Sequence, residues 1–272
     1  TPIIFGSTKV ASIHRKAIAM QDFNFNIINN IKDANPKRAN LLNIWNDDIE
    51  ITFGEATTKS GELSFDSLKR ASDALKNKEI DVLVTAPINK ASIQIKVKQF
   101  IGHTEFLQGN FEGESLMVMA SEIMKIAFVT GHVPLTEVKK SITTENIILK
   151  TKKLNTSLIQ DFGIRTPKIA VLGLNPHAGE NGLLGGEENE NIIPAIKKLK
   201  EEGIIAFGPY AADSFFTNKN LENFDGILSM YHDQGLTAFK TLSFSDGVNY
   251  TAGLNIVRTS PVHGTAYEIS GK

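Results

Sequence analysis

Five short apolar runs, at residues 2–5, 80–85, 125–130, 168–172 and 224–230, constrain this chain more than any other feature. Each is rich in β-branched residues and lacks the apolar–polar alternation of a half-exposed strand. That pattern predicts strands buried on both faces of a largely parallel sheet. Helical periodicity separates them. Residues 65–77 carry Leu68, Ala71 and Leu75 on one stripe, with Ser64 placed to cap it. Residues 143–163 repeat Ile147, Leu149, Leu154 and Leu158, and residues 189–203 carry Ile192, Ile193, Ile196 and Leu199 before a terminating glycine. Pro194 fits that last helix only in its first turn, so a late start is expected. Alternating strand and helix signals give an α/β fold class.

A length of 272 residues suits two domains or one large α/β unit. No internal repeat and no Gly/Ser/Pro-rich linker marks a border, so any crossing between domains is expected inside structured elements. Residues 24–46 are rich in Asn, Ile and Lys, which reads as composition bias, and Trp45, the only tryptophan, reads as a packing residue. The 29 basic and 30 acidic residues leave a net charge of −1, which argues against a polyanion-binding surface and against nucleic acid as a partner. The chain contains no cysteine, which excludes disulfides, thiolate metal sites and a cysteine nucleophile. No apolar run approaches the length of a membrane span, and the opening residues lack a signal-peptide core. A cytoplasmic enzyme is expected.

The six histidines are His14, His103, His132, His177, His232 and His263. Three of them follow a strand-like run by a few residues: His132 after KIAFVT, His177 after KIAVLGL and His232 after FDGILSM. In open α/β sheets the carboxyl ends of the strands form the ligand crevice, so these imidazoles could meet although 45 and 55 residues separate them. A catalytic divalent metal needs that arrangement, a few nitrogen or oxygen ligands with positions left open for substrate. The plainer reading of each histidine is a hydrogen-bonded loop residue. Asp233 is open to three readings: a further ligand, an orienter of an imidazole, or a cap for the segment that follows.

His177 lies in GLNPHAGENGLLGGEENE, whose glycines permit tight turns and close backbone approach to a ligand, and which on glycine count alone reads as a flexible surface loop. Glu187 and Glu188 lead from it into the next helix. Neither GxGxxG nor GxxxxGK[ST] occurs, so a Rossmann dinucleotide fingerprint and the common ATP-binding loop are both missing. In IGHTEFLQGNF, Thr104 is placed as the N-cap of a short helix beginning at Glu105; beside His103 it is either a simple cap or part of an oxyanion site. Lys240, Asn249 and Arg258 suit a phosphate or carboxylate, or simply a solvated face.

Taken together, GHTEFL, TGHVPL, LGLNPHAGE, GPYAADSFF, MYHDQGLTAFK and GVNYTAGLNIVRTSPVHGTA resemble the 4-hydroxythreonine-4-phosphate dehydrogenases of vitamin B6 biosynthesis, in order and with family-like spacing. The resemblance implies a two-domain α/β/α sandwich subunit like isocitrate and isopropylmalate dehydrogenases. It divides the chain into 1–98 plus 263–272, and 99–262 with the metal ligands and dimer interface. It implies a homodimer whose active sites lie in interdomain clefts at the subunit interface, each ion drawing ligands from both subunits. His132, His177 and His232 take the metal positions; His103, Thr104, Lys240, Asn249 and Arg258 take the substrate positions.

The implied reaction is NAD- or NADP-dependent oxidation of 4-phosphooxy-threonine, with loss of carbon dioxide to 3-amino-2-oxopropyl phosphate. Zinc, magnesium, manganese and cobalt are all compatible ions. Asp213, Asp233 and Lys240 are the candidate general bases. Family members usually open with a GDPxGIGPE-like segment, whereas this chain opens at TPIIFG and stops at YEISGK, so a first domain without its usual first strand is expected. The neighbouring readings are a paralogue acting on 4-phospho-threonate or 4-phospho-erythronate, a metal-dependent aldolase or hydrolase, and a metabolite-binding protein without turnover.

Overall fold

The computed structural model describes residues 1–46 and 49–272. Two compact units divide the chain: residues 1–111 with 263–272, and residues 112–262. The expected border at residue 99 is thus displaced, and the segment carrying His103 and Thr104 belongs to the first unit.

In the first unit, strands β1 (Ile3–Gly6), β2 (Asn26–Ile28) and β3 (Asn40–Asn43) form a parallel sheet in the order β1-β3-β2, with helix α1 (Thr8–Ala17) following β1. Helix α2 (Thr58–Lys76) contributes Ala74 to a small core with Ile28, Ile31 and Leu42. It starts seven residues earlier than its apolar stripe indicates. Thr57 caps it in a reciprocal capping box with Ser60, while Ser64, the expected cap, bonds back to the Ser60 carbonyl from inside the helix. The asparagines here are more than composition bias. Buried Asn40 donates to the carbonyls of Pro2, Asn35 and Arg38 and accepts from Asn26 Nδ2 and the Asn35 amide, which satisfies its whole hydrogen-bonding capacity.

The unit continues through β4 (Val82–Val84), α3 (Lys90–Gln94) and α4 (His103–Gln108). Thr104 does not cap α4. The helix starts at His103 behind Gly102, where a Cβ would meet the Glu105 carboxylate at 2.8 Å. A Cβ there would push aside the Glu105 and Lys90 side-chain ends that reach back over the helix start.

The second unit contains β5 (Gly113–Ala120), β6 (Lys125–Phe128), α5 (Leu135–Ser141), α6 (Thr144–Gln160), β7 (Lys168–Leu172), α7 (Ile193–Glu201), β8 (Ile205–Tyr210), α8 (Ala212–Phe215), α9 (Asn218–Asn223), β9 (Gly226–Ser229), α10 (His232–Leu242), β10 (Val248–Leu254) and β11 (Val257–Pro261). Its strands run in the order β11-β10-β5-β6-β9-β7-β8. The sheet is mixed, which corrects the largely parallel expectation. Neighbours from β6 through β9 and β7 to β8 are parallel, while β5–β6, β5–β10 and β10–β11 are antiparallel. Only the tight turn at Ser121–Met124 joins β5 to β6, too short for the crossover a parallel pair requires.

Alternate residues of each central strand enter different cores. Ala127, Ile169, Val171 and Leu228 pack with Val138, Ile147, Leu154, Leu158, Ala195 and Leu199 of α5, α6 and α7. Ile126, Phe128, Ala170, Leu172 and Ile227 pack with Phe215, Leu221 and Phe239 of α8, α9 and α10. Helices therefore cover both faces of the sheet, a three-layer α/β/α arrangement. Leu149 is 43% exposed and stands off the buried stripe of α6. Pro194 does fall in the first turn of α7, behind a π-helical turn at Glu188–Ile192. No helix among the described residues is long and apolar enough to cross a membrane.

Candidate functional site

Strand β9 lies between β6 and β7, parallel to both. Its neighbours lead into helices on one face, α5 and α7, while β9 leads into α10 on the other. Loops from adjacent strands therefore diverge beyond their carboxyl ends, and such a divergence opens the ligand crevice of an α/β sheet. His132, His177 and His232 all leave the sheet at this edge.

The β6–β9 ladder runs past the strand ends: the amides of Val129 and Thr130 donate to the Ser229 and Met230 carbonyls, at 2.9 and 3.2 Å. His132 and His232 each follow two residues later, with ring centroids 5.1 Å apart. Neighbouring strands lie about 4.8 Å apart, so strand spacing alone brings the rings together. The His232 ring stacks on Phe128 at 5.9 Å, and its Nδ1 lies 2.7 Å from Asp233 Oδ1. A carboxylate only accepts, so Nδ1–H is the donor, and whenever the ring is neutral this leaves the lone pair on Nε2, as in a metal-binding histidine.

One turn on, a Cβ at Gly235 would lie 2.6 Å from Ser229 Oγ and 2.7 Å from Ile126 Cδ1. Helix α10 thus sits hard against the sheet, which sets the height of His232. Gln234 ties the neighbouring strand in, accepting from the Met230 amide and donating to the Gly173 carbonyl. His132, Val133, Leu135, Tyr231, His232 and Asp233 line a concavity over the pair.

His177 is held differently. Residues 177–181 all have positive φ, forming a left-handed turn in which only Gly179 is glycine. Each non-glycine residue in that conformation costs about 1–2 kcal/mol, so the turn persists only where surrounding structure holds it. Glu188 and Glu187, 2% and 6% exposed, supply the hold. Glu188 Oε1 accepts from the Leu174 and Asn175 amides at 2.8 and 2.7 Å, and its Oε2 accepts from Asn175 Nδ2 at 2.9 Å. Glu187 accepts from the same Asn175 amide and pairs with Lys139. Those contacts, led by the Lys139 hydrogen bond, pull the Glu187 carboxyl from its ordinary 4.5 down to about 2. The glycine-rich segment is therefore a surface segment tied down at its base by two buried carboxylates. Sequence reasoning assigned no site role to Asn175, Glu187, Glu188 or Gln234; an adjacent acidic pair closing a glycine-rich segment was the available signal.

Two imidazoles side by side, one oriented by a carboxylate, fit two positions in a divalent ion's shell. Among the described residues no three His, Cys, Asp or Glu side chains converge closely enough to hold one ion. The chain by itself brings together His132 and His232, and leaves exposed His177 on its own turn.

The remaining candidates are carried by other elements. Lys240 is eight residues along α10 from His232, about 12 Å of helix axis. Strand register places Asn249 opposite Met119, which pairs with Ile126 near the amino end of β6. Buried Arg258 donates to Thr251 Oγ1 at 3.1 Å. Asp213 is exposed on α8, and His103 and Thr104 are half-buried in α4 of the first unit.

The whole chain, residues 1–272, matches the family described as "Pyridoxal phosphate biosynthetic protein PdxA". It belongs to that family. A 4-hydroxythreonine-4-phosphate dehydrogenase of Bacteroides thetaiotaomicron is 50% identical over 275 residues, covering 100% of this chain and 75% of the relative. A Sulfurihydrogenibium protein of the same name is 39% identical, covering 99% of this chain and 83% of the relative. The crystal structure of the Klebsiella pneumoniae 4-hydroxythreonine-4-phosphate dehydrogenase superposes with a TM-score of 0.84 at 30% identity, covering 99% of this chain and 82% of that one. The chain thus shares its α/β fold with a solved enzyme of that name.

Proposed function

We propose that this chain catalyses the oxidation of 4-hydroxythreonine 4-phosphate by NAD or NADP, with decarboxylation to 3-amino-2-oxopropyl phosphate. Family membership supplies the reaction class. The observation that carries the site is the His132–His232 pair, its His232 ring held by Asp233 through Nδ1. These imidazoles, with His177, would hold a divalent ion such as zinc, magnesium, manganese or cobalt. When bound, the ion supplies Lewis acidity at the reacting hydroxyl and at the carbonyl that replaces it. Asp233 keeps the His232 lone pair on Nε2. Lys240, Asn249, Arg258, His103 and Thr104 bind the anionic substrate, and Lys240 or Asp213 takes the hydroxyl proton. The absence of thiols and of an apolar spanning helix among the described residues suits a cytoplasmic enzyme.

We further propose a homodimer in which a second copy completes each site. The division of the candidates within one chain supports this: the histidine pair lies beyond the carboxyl end of β6, while Asn249 lies near its amino end. The test is NADH or NADPH formation by the purified protein with 4-hydroxythreonine 4-phosphate, with and without a chelator. Chelator-sensitive turnover restored by added metal is expected. Turnover of 4-phospho-threonate or 4-phospho-erythronate in its place would overturn the substrate, and a fully active monomer in sedimentation would overturn the dimer.

A further inference from the structure

We infer that Glu188, with Asn175 and Glu187, is the positioning device for His177. This deepens the proposed function and rests on its assignment of His177 as a ligand. Glu188 reaches the turn from behind: one carboxylate oxygen holds the amides of Leu174 and Asn175, just before it, and the other holds the Asn175 side chain. Asn175 Nδ2 in turn bridges Glu188 and Glu187.

The left-handed segment is built around this carboxylate. A Cβ at Gly179 would lie 2.5 Å from Glu188 Oε2, and a Cβ at Gly185 would lie 2.3 Å from Asn175 Nδ2. Glycine is thus required on both sides of the clamp for the chain to close over it. His177 sits two residues past Asn175 and two before Gly179, between the two points that the clamp fixes. Its neighbours have no strand ladder of the kind that sets His132 and His232. A buried carboxylate with three donors at 2.7 to 2.9 Å does that work in its place. Such a contact is polar and directional, so it fixes backbone orientation as well as closing space.

The experiment is titration of the metal-free full-length protein with Mn2+ alone, comparing wild type, Glu188→Gln, His177→Ala and the double variant, with circular dichroism confirming the fold. Glu188→Gln keeps the side-chain volume and removes the charge and one acceptor. It is expected to weaken Mn2+ binding at least tenfold, while adding no loss in the His177→Ala background. Non-additivity of that kind marks residues acting through one element. Wild-type affinity in Glu188→Gln would overturn the inference, as would the same loss in both backgrounds, which marks general structural damage. Wild-type affinity in His177→Ala would instead overturn the ligand assignment itself. Should Glu188→Gln fail to fold, Asn175→Ala takes its place. It removes the amide bridging the two carboxylates, and the same pair of outcomes applies.

Discussion

The carboxyl edge of the second unit's sheet carries histidines held in two contrasting ways. His132 and His232 extend a β-ladder, and their separation is little more than the spacing of two parallel strands. His177 sits on a left-handed turn that backbone energetics disfavours and that two buried carboxylates maintain. The first pair inherits its geometry from the fold; the third histidine needs a dedicated local device. Ligands set by a sheet should be sensitive to changes at the ring and at the helix that seats it. A ligand set by a clamp should be sensitive to changes several residues away.

The largest expected effect breaks the ladder-held pair. Replacing either ring, in His132→Ala or His232→Ala, should abolish metal-dependent turnover while circular dichroism stays native. Asp233→Asn should cost less, roughly the 10–100-fold in metal affinity typical of losing a group that orients a ligand. Equal metal content in wild type and His232→Ala, measured by elemental analysis, would remove the pair from the site.

Glycine substitutions sharpen the contrast at intermediate size. Gly235→Ala forces a methyl against Ser229 and Ile126, and overpacking of this kind typically costs about 1–3 kcal/mol. It should lift α10 and weaken the contribution of His232 to metal binding. Gly179→Ala combines a φ of +77° with a 2.5 Å approach to Glu188, so it should strain the turn by about 1–2 kcal/mol from conformation alone, with the contact in addition. Thermal unfolding and Mn2+ titration of both variants check this. Gly179→Ala should spare the environment of His232, and an altered His232 ring signal by NMR would merge the two regions into one.

The smallest effect is on pH dependence. The Lys139 and Asn175 contacts hold Glu187 at about 2 in the folded chain, below its ordinary value of 4.5. Its contribution to stability is therefore complete above that ordinary value and is lost as pH falls from 4.5 towards 2. Lys139→Ala should shift this acid limb of the stability curve upward. An unchanged acid limb in urea unfolding between those pH values would show that Lys139 does not set the Glu187 carboxyl.

Much of the second unit was legible because its signals are local. The apolar runs that become β6, β7 and β9 are buried on both faces, and residues buried so completely have few alternatives in sequence. The placement of three histidines just after those runs was legible for the same reason. Strands β5, β10 and β11 escaped notice because their pairing is antiparallel and partly exposed, with a weaker apolar signature. The start of α2 was missed because its first turns are polar and its cap, Thr57, stands ahead of any apolar stripe.

Composition and local pattern set the fold class, the residue types available for a metal and an anion, and the order in which three histidines arrive at one edge of a sheet. These follow from composition and from local periodicity, which act over a few residues. Tertiary structure alone decided which histidines meet, that Asp233 orients His232 through Nδ1, and that Glu188 lies buried beneath the His177 turn. Those facts depend on side-chain direction and, for the histidine pair, on strand order across 100 residues, and periodicity along the chain carries no record of either.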